Sequence, residues 1–243
     1  NKVFCETDKE VHTAKLIVGS DGMNSKIREL SKISYRSWSY NQTAVVANFK
    51  TSINESCIKQ TFTSIGPLAL LPINDRESTM IWSIDDDVSY KFLSMSDEEF
   101  TNEVVNKFGE QIEKLEMISK RQHFPLHHLS AKTFAKKSVF LVGDSAHHIH
   151  PLAGLGLNSG IGDVVCLSEL IESNGLGNLE ELISAYNRKR IPINLGLAAS
   201  MEAFKRGFGQ KNIWMKLFRN TAFNIANKIS PLKKKFMKLA TEL

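Results

Sequence analysis

The sequence predicts a mixed α/β (α+β) fold in which a layer of strands and helices is interrupted by an antiparallel β-sheet. Near the start, two runs of β-forming residues lead into a helical stretch, NSKIRELSKI. Between residues 35 and 87, short strand-like runs follow one another with polar breaks. After residue 138, a buried-type strand again enters a helix. Strand-turn-helix order is typical of α/β units, whereas consecutive short strands indicate an antiparallel sheet.

The first segment is predicted to be a β-hairpin followed by a short helix. The turn-prone pair Asp8-Lys9 separates two strand-like runs, of which the second ends at Gly19. Asn24 and Ser25 are candidate N-caps, because short polar side chains accept hydrogen bonds from the free N–H groups of a first helical turn. This segment therefore ends on a strand, a turn and a helix in that order.

The middle segment is predicted to be a sheet with one helix packed on it. Its strand-like runs are TAVVANFKT, CIKQTFT, PLALLPI and STMIWSID. Ser96 and Glu99 have the spacing of a capping box, which begins a helix. The apolar residues that follow recur at helical spacing and are Phe100, Val104, Phe108 and Ile112.

The last segment is predicted to contain a strand at 139–142, the sequence GDSAHHIHPLAGLGLNSG and then helices. The first helix stops at Asn174-Gly175, and the second spans 179–190, with Pro192 ending or kinking it. The apolar face of the first helix is assigned to Ile161, Val164, Val165, Leu167, Leu170 and Ile171. The resulting boundaries are 1–34 and 129–193 for the α/β layer, 35–128 for the β-rich insert and 194–243 for a C-terminal helical region.

The composition indicates a globular protein from a reducing compartment. Of the 243 residues, 42% are hydrophobic and 23% are charged, a balance that can form a buried core. Cys5, Cys57 and Cys166 are too few and too widely spaced for a disulfide framework or a zinc site. No apolar run reaches the roughly 18 residues of a membrane span, and the first residues lack a signal-peptide pattern. Since the chain opens on Asn1 and enters a strand at once, we expect a piece of a longer protein.

The histidines of GDSAHHIHPLAGLGLNSG raise the question of a metal site. His148 and His150 are two residues apart and Asp144 could supply an oxygen ligand. No further cluster of metal-ligating residues has a spacing that closes a ligand set, so we expect no metal.

A site for a flat, electron-rich ring such as a flavin uses more of this segment. Small residues let a planar ligand approach the backbone, and helix amides from Gly156 to Asn158 could donate to its edge. Asp144 follows a buried strand and could accept a hydrogen bond from a sugar-like hydroxyl. The segment therefore favours flavin binding over metal binding.

Two motifs resemble those of one enzyme family. GDSAHHIHPLAGLGLNSGIGDVVCLSEL resembles the second flavin-binding motif of class A flavoprotein monooxygenases, which have the para-hydroxybenzoate hydroxylase fold. LIVGSDGMNSKIREL resembles the Asp-Gly motif of the same family, with Asp21, Gly22, Ser25 and Arg28 at the expected positions. SWSYNQTAVVA, GPLALLPI, MIWS, FPLHHLSA and the C-terminal helices are similar to the ubiquinone-biosynthesis hydroxylases, so the resemblance covers nearly the whole chain.

The resemblance implies a partial FAD-binding Rossmann-like domain interrupted by a substrate domain. Asp144, with Gly143, would bind the flavin ribityl chain, and Pro151 would lie beside the ring where substrate stacks. Asp21-Gly22, which alone is as typical of an ordinary turn, would support the pyrophosphate side. The loop and amides at the pyrimidine edge would be Gly154, Gly156, Leu157 and Asn158. The histidines would then be bystanders, with His148 incidental.

The implied activity is hydroxylation of a polyprenylated phenol in ubiquinone biosynthesis by a flavin C4a-hydroperoxide. Oxygen would be the oxidant, and NAD(P)H or a small redox protein would supply electrons. Leu70 and Trp82 are expected to wall the substrate pocket, although such runs are often core and both roles can hold for alternate residues of a strand. The alternatives are a flavin-dependent polyprenyl reductase and a non-catalytic scaffold in a quinone-biosynthesis complex.

Three features qualify these expectations. The ubiquinone-biosynthesis branch that the chain resembles usually has glutamine at the position of Leu155, so we expect a polar contact near the flavin or substrate to be missing. No Gly-x-Gly-x-x-Gly loop occurs, so we expect residues 1–243 alone to bind FAD poorly and to be inactive. The basic segment PLKKKFMKLATEL is an amphipathic membrane or partner contact, or merely a solvated face. We expect a location peripheral to the bacterial inner membrane on the cytoplasmic side, or on the mitochondrial matrix side, and no nucleic-acid partner.

Overall fold

The structure is a computed structural model, and it has the predicted mixed α/β class. Its described residues divide into two compact units, one formed by residues 2–38 and 127–206 and the other by residues 39–126 and 207–209. The residues that the structure describes are 2–51, 57–112, 114–151 and 154–209.

The first unit is built around a three-stranded sheet. A separate hairpin of β1 (Val3–Glu6) and β2 (Val11–Ala14) precedes β3 (Ile17–Gly19), so the run predicted as one strand contributes to two sheets. In the three-stranded sheet, β11 (Val139–Leu141) is central, parallel to β3 and antiparallel to β10 (Ala135–Lys136). Because β3 and β11 are parallel, the turns that follow them leave from the same edge.

Among the described residues, three helices belong to this unit, and two of them cover its core. The short α1 (Lys26–Leu30) is capped by Ser25, as predicted. The long α4 (Gly156–Asn174) ends before Gly175, and α5 (Leu179–Gly209) runs on through Pro192 and across the boundary expected at 194. The core side chains include Phe134, Phe140, Leu141, Leu167, Leu170, Leu182 and Tyr186. None of the helices in the described ranges is both long and apolar enough to cross a lipid bilayer.

The buried face of α4 differs from the predicted one. Leu167 and Leu170 are buried as expected, but Ile161, Val164 and Val165 are at least half exposed. The residues that face inward are Ser159, Gly162, Asp163, Cys166, Leu167 and Leu170. The apolar pattern alone was misleading, because two polar residues occupy the inward face and hydrogen-bond there.

The second unit is the predicted antiparallel sheet. Its long strand is β4 (Tyr35–Thr51), which extends into the first unit together with β9 (Gln122–Ala131). The sheet order is β9-β4-β7-β6-β5, with β8 (Leu115–Met117) paired to β4. The remaining strands are β5 (Lys59–Thr63), β6 (Gly66–Asn74) and β7 (Glu77–Asp85).

Two helices, α2 (Asp86–Leu93) and α3 (Asp97–Phe108), supply aromatic side chains to a core on one face of this sheet. Phe92 and Phe100 lie with their ring centroids 5.0 and 6.0 Å from that of Trp82. The predicted capping box is confirmed: the Glu99 N–H donates to Ser96 Oγ (3.2 Å) and the Ser96 N–H donates to Glu99 Oε2 (2.8 Å). The C-terminal residues 210–243, including the basic segment, lie outside the described residues.

The capping box gives a direct test of this helix start. Changing Ser96 to alanine removes the acceptor for the Glu99 N–H, and we expect a loss of about 1 kcal/mol in the free energy of unfolding. Urea denaturation measures it. Ser89→Ala, within α2 and with no capping role, is the control, and an equal loss in both variants would contradict the assignment.

Candidate functional site

The parallel pair β3 and β11 brings the two predicted motifs together. Asp21-Gly22 follows β3, and Gly143-Asp144 follows β11. The Ser145 hydroxyl donates to the Gly19 carbonyl at 2.6 Å, which ties the second turn to the end of β3. Arg28 Nη1 donates to the Ser145 carbonyl at 2.8 Å. Two motifs far apart in the sequence are therefore joined at one edge of the sheet.

The Asp21 side chain is used by its own turn. Its carboxylate accepts hydrogen bonds from the Ser25 hydroxyl and from the Ile27 N–H, the latter at 3.1 Å. Burial raises the pKa of Asp21, but these hydrogen bonds outweigh burial and lower the pKa overall. Asp21 thus stabilises the start of α1 and keeps Arg28, which α1 carries, in place.

Gly143 and Gly160 permit a close approach between the turn that follows β11 and helix α4. The 3₁₀ turn Gly143–Ser145 begins with Gly143 at φ +59°, a conformation that disfavours residues with a side chain. A Cβ on Gly160 would lie 3.1 Å from the Gly143 Cα, which is too close for ordinary packing. The turn is therefore held directly against the second helical turn of α4.

A buried carboxylate, that of Asp163 in α4, fixes this turn from beneath. Asp163 Oδ2 accepts hydrogen bonds from the Gly143 N–H (2.9 Å) and from His147 Nε2 (2.6 Å). Its other oxygen, Oδ1, accepts from Arg190 Nε (2.7 Å) in α5. Asp163 is 0% exposed, and His147 and Arg190 are also buried. Arg190 Nη2 continues to the Ser159 carbonyl at 2.9 Å.

The three donors keep Asp163 ionised in spite of its burial. Burial raises the pKa of its carboxyl. The hydrogen bond and charge of His147, and then the hydrogen bonds of Arg190 and the Gly143 N–H, lower this pKa by a larger amount, so the net pKa is below its usual range. Removing one partner of such a buried pair leaves an uncompensated charge, at a cost of about 3–5 kcal/mol. The Gly143 backbone thus depends on a charge pair between two helices.

The adjacent histidines His147 and His148 each contact a different aspartate. In the short strand β12 (His147–His148), which pairs with β9, His147 points inward to Asp163. His147 Nδ1 has no partner among the described residues, so Nε2 carries the proton that Asp163 accepts. His148 Nδ1 lies 2.8 Å from Asp144 Oδ2. His147 and His148, which were expected to be bystanders, therefore each contact an aspartate.

The backbone around the start of α4 is open to a ligand. The first intrahelical bond runs from the Ser159 N–H to the Leu155 carbonyl, so the Leu157 and Asn158 amides belong to the first turn, whose N–H groups lack intrahelical acceptors. Leu157 is 75% exposed. A Cβ at Gly154 or Gly156 would meet nothing within 4 Å. Pro151 is exposed, and its carbonyl accepts from the Gly154 N–H at 3.0 Å.

Leu70 and Trp82, the two predicted pocket residues, lie in the core of the second unit. Both are almost fully buried, and they share that core with Phe92 and Phe100 from the helices. The pocket prediction for these two side chains is corrected accordingly. Because side chains alternate across a strand, the opposite face carries their neighbours, and this face includes the partly exposed Val46, Ala69, Leu71 and Ile81.

Asp163 and Arg190 were not among the predicted site residues, although Asp163 is the later aspartate of the motif GDSAHHIHPLAGLGLNSGIGDVVCLSEL. Asp163 shares the spacing of Cys166, Leu167 and Leu170, so an acidic residue on an inward helix face was the available signal. Its partner Arg190 follows 27 residues later and carried no comparable signal. Among the described residues, no group of three or more histidine, cysteine or carboxylate side chains is arranged to hold a metal ion.

Comparison with known proteins places this geometry in a family. The ubiquinone biosynthesis monooxygenase COQ6 of Xenopus tropicalis is 30% identical over 96% of this chain and 59% of the relative. The ubiquinone hydroxylase UbiL of Rhodospirillum rubrum is 31% identical over 96% of the chain and 56% of the relative. The chain thus spans less than two thirds of the length of these relatives.

A solved structure shows the same fold. The p-nitrophenol 4-monooxygenase PnpA of Pseudomonas putida DLL-E4 superposes with a TM-score of 0.76 over 96% of this chain and 60% of that one, at 16% identity. The sequence profile of the FAD binding domain family matches residues 4–199, which include both turns, β12, α4 and Arg190. The chain therefore belongs to the FAD binding domain family.

Proposed function

We propose that the protein containing this chain is an FAD-dependent monooxygenase that hydroxylates the aromatic ring of a polyprenylated phenol in ubiquinone biosynthesis. The observation that carries this proposal is the meeting of the Asp21 and Asp144 turns at one sheet edge, beside the open start of α4. The names of the relatives supply the substrate class. Molecular oxygen is the oxidant, and NAD(P)H or a small redox protein supplies electrons.

The residues present fit FAD. Asp144 offers a carboxylate whose side chain is 48% exposed and which can accept from a ribityl hydroxyl. Gly143 lets the backbone turn at that point, and Gly154 and Gly156 leave space for a flat ring. Asp21 and Gly22 would lie toward the pyrophosphate. When bound, FAD supplies the electron transfer and oxygen activation that no amino-acid side chain provides.

The residues of this chain would bind the flavin, orient it beside the substrate and polarise its ring. The Leu157 and Asn158 amides, at the positive end of α4, would donate to the pyrimidine edge of the ring and would stabilise negative charge there. Pro151 presents an exposed, rigid surface beside which a phenol can stack. No side chain of this site need act as a nucleophile, because bound FAD would supply the oxygen activation.

The substrate wall is assigned to the sheet face opposite the core of the second unit. Ala69 and Leu71 on β6 are in register with Ile81 and Thr79 on β7, and these residues are partly exposed. An apolar, incompletely covered face suits a polyprenyl phenol, since each apolar area removed from water favours binding. Because this substrate would be insoluble in water, we propose that the enzyme works beside a membrane, on the bacterial cytoplasmic or the mitochondrial matrix side. Other quinone-biosynthesis proteins would be its neighbours there.

Oxygen incorporation tests the proposed activity. The full-length protein with a polyprenyl phenol, an electron donor and ¹⁸O₂ should form a product carrying one ¹⁸O atom, with consumption of one O₂ for each product. Reaction in the absence of oxygen, with loss of a prenyl double bond, would instead identify a reductase. A purified protein without flavin absorbance would identify a scaffold.

The substrate wall is tested by Leu71→Glu in the same full-length protein. A charge on this face should raise KM for the polyprenyl phenol at least about tenfold, since burying a leucine is worth roughly 1.5–3 kcal/mol, while flavin content stays unchanged. Tyr90→Glu, at an exposed apolar residue of α2, is the matched control. Equal KM values in the two variants, with equal melting temperatures, would remove this wall assignment.

A further inference from the structure

We infer that His148 is a positioning residue for Asp144: its imidazole holds one carboxylate oxygen so that the other faces a hydroxyl of the ligand. The inference rests on the proposed function, because it takes the ribityl chain of FAD as that ligand. It assigns a role to a residue that was expected to be incidental to the motif.

The orientation of His148 follows from its strand. β12 pairs antiparallel with β9, with His147 opposite Ser130 and His148 opposite Leu129. Adjacent residues of a strand point to opposite sides, so only one of the two histidines can face the core. His147 takes that side, with its side chain 2% exposed, whereas the His148 side chain is 29% exposed and reaches Asp144.

The hydrogen bond from His148 uses one of the two carboxylate oxygens of Asp144. His148 Nδ1 donates to Asp144 Oδ2 at 2.8 Å, and no other described residue donates to the Asp144 side chain. Oδ1 is therefore available as an acceptor on a side chain that is nearly half exposed. An ionised carboxylate has only acceptors, which suits a ligand hydroxyl acting as donor.

Holding the Asp144 carboxylate in one orientation favours ligand binding. An exposed aspartate on a turn samples several rotamers, and ligand binding must then order it. The hydrogen bond from His148 orders Asp144 in advance and, as the largest cause, lowers the pKa of Asp144, so the carboxylate stays ionised.

The neighbouring His128 does not compete for this role. It is buried on β9, where its ring stacks on Trp38 at 3.8 Å between centroids. Burial, with the nearby His148, lowers the pKa of His128 to about 4, in spite of the opposing effect of Glu202, so His128 is neutral at ordinary pH. His148 is thus the histidine that serves Asp144.

Two variants separate hydrogen bonding from packing. In the full-length protein, His148→Leu removes the donor, whereas His148→Asn retains an N–H donor near the position of Nδ1. We expect the dissociation constant for FAD, measured by flavin fluorescence, to rise about five- to tenfold for leucine and less than twofold for asparagine. His123→Leu, at an exposed histidine of β9, is the control and should leave the constant unchanged.

A double variant and a flavin-free measurement complete the test. Asp144→Asn with His148→Leu should bind FAD no more weakly than Asp144→Asn alone, because the histidine acts through the aspartate. In flavin-free protein, carbon NMR should show a higher pKa for Asp144 in His148→Leu than in wild type. Additive losses, equal losses for leucine and asparagine, or an unchanged Asp144 pKa would overturn the role of His148. Wild-type protein that binds no FAD would instead overturn the proposed function.

Discussion

The turn at Gly143-Asp144 depends on a carboxylate that water cannot reach. Asp163 accepts three hydrogen bonds, two from Gly143 and His147 in the turn and the strand that follows it, and one from Arg190 in α5. A turn following a strand would ordinarily have considerable freedom. Here its first N–H is bound to a buried charge, and that charge is in turn neutralised by Arg190 in α5, a helix that begins at Leu179. These hydrogen bonds restrain the turn.

The turn at Gly143-Asp144 is also held by hydrogen bonds at Ser145. Ser145 bonds to the end of β3, and Arg28 bonds to Ser145, so the Asp21 motif and the Asp144 motif support each other. This arrangement explains why a parallel strand pair is used at this point: it is the simplest way to bring two sequence-distant turns to one edge. The outward-facing Asp144, Pro151 and start of α4 are then free to meet a ligand, while the inward-facing residues carry the structure.

Much of this organisation could be predicted from the sequence because it is local. The capping box at Ser96 and Glu99 and the helix stop at Gly175 involve neighbours in the chain, and such patterns are visible without a fold. The antiparallel insert was equally predictable from its short strand-like runs. The ligand role of Asp144 and of the Leu157 and Asn158 amides remains a prediction, which the open geometry supports.

Other features required the tertiary structure. Alternation along β6 and β7 separates Leu70 and Trp82 from Leu71 and Ile81, but it cannot say which face the helices cover. In α4, the apolar residues Ile161, Val164 and Val165 indicated a buried face, yet the inward positions hold Ser159 and Asp163, whose partners include Asn194 and Arg190 in α5. The pairing of His147 and His148 with two different aspartates depends on β12 being a strand.

The dissociation constant of FAD in the Asp163→Asn variant of the full-length protein tests the central claim most directly. Asparagine keeps the shape of the side chain but replaces a charged acceptor of three hydrogen bonds by an amide. We predict an increase in this constant of roughly ten- to a hundredfold, the effect of about 1–3 kcal/mol. Glu169→Gln, an exposed acid on the same helix, should leave it unchanged. Equal constants for the two variants would show that Asp163 does not hold the flavin turn.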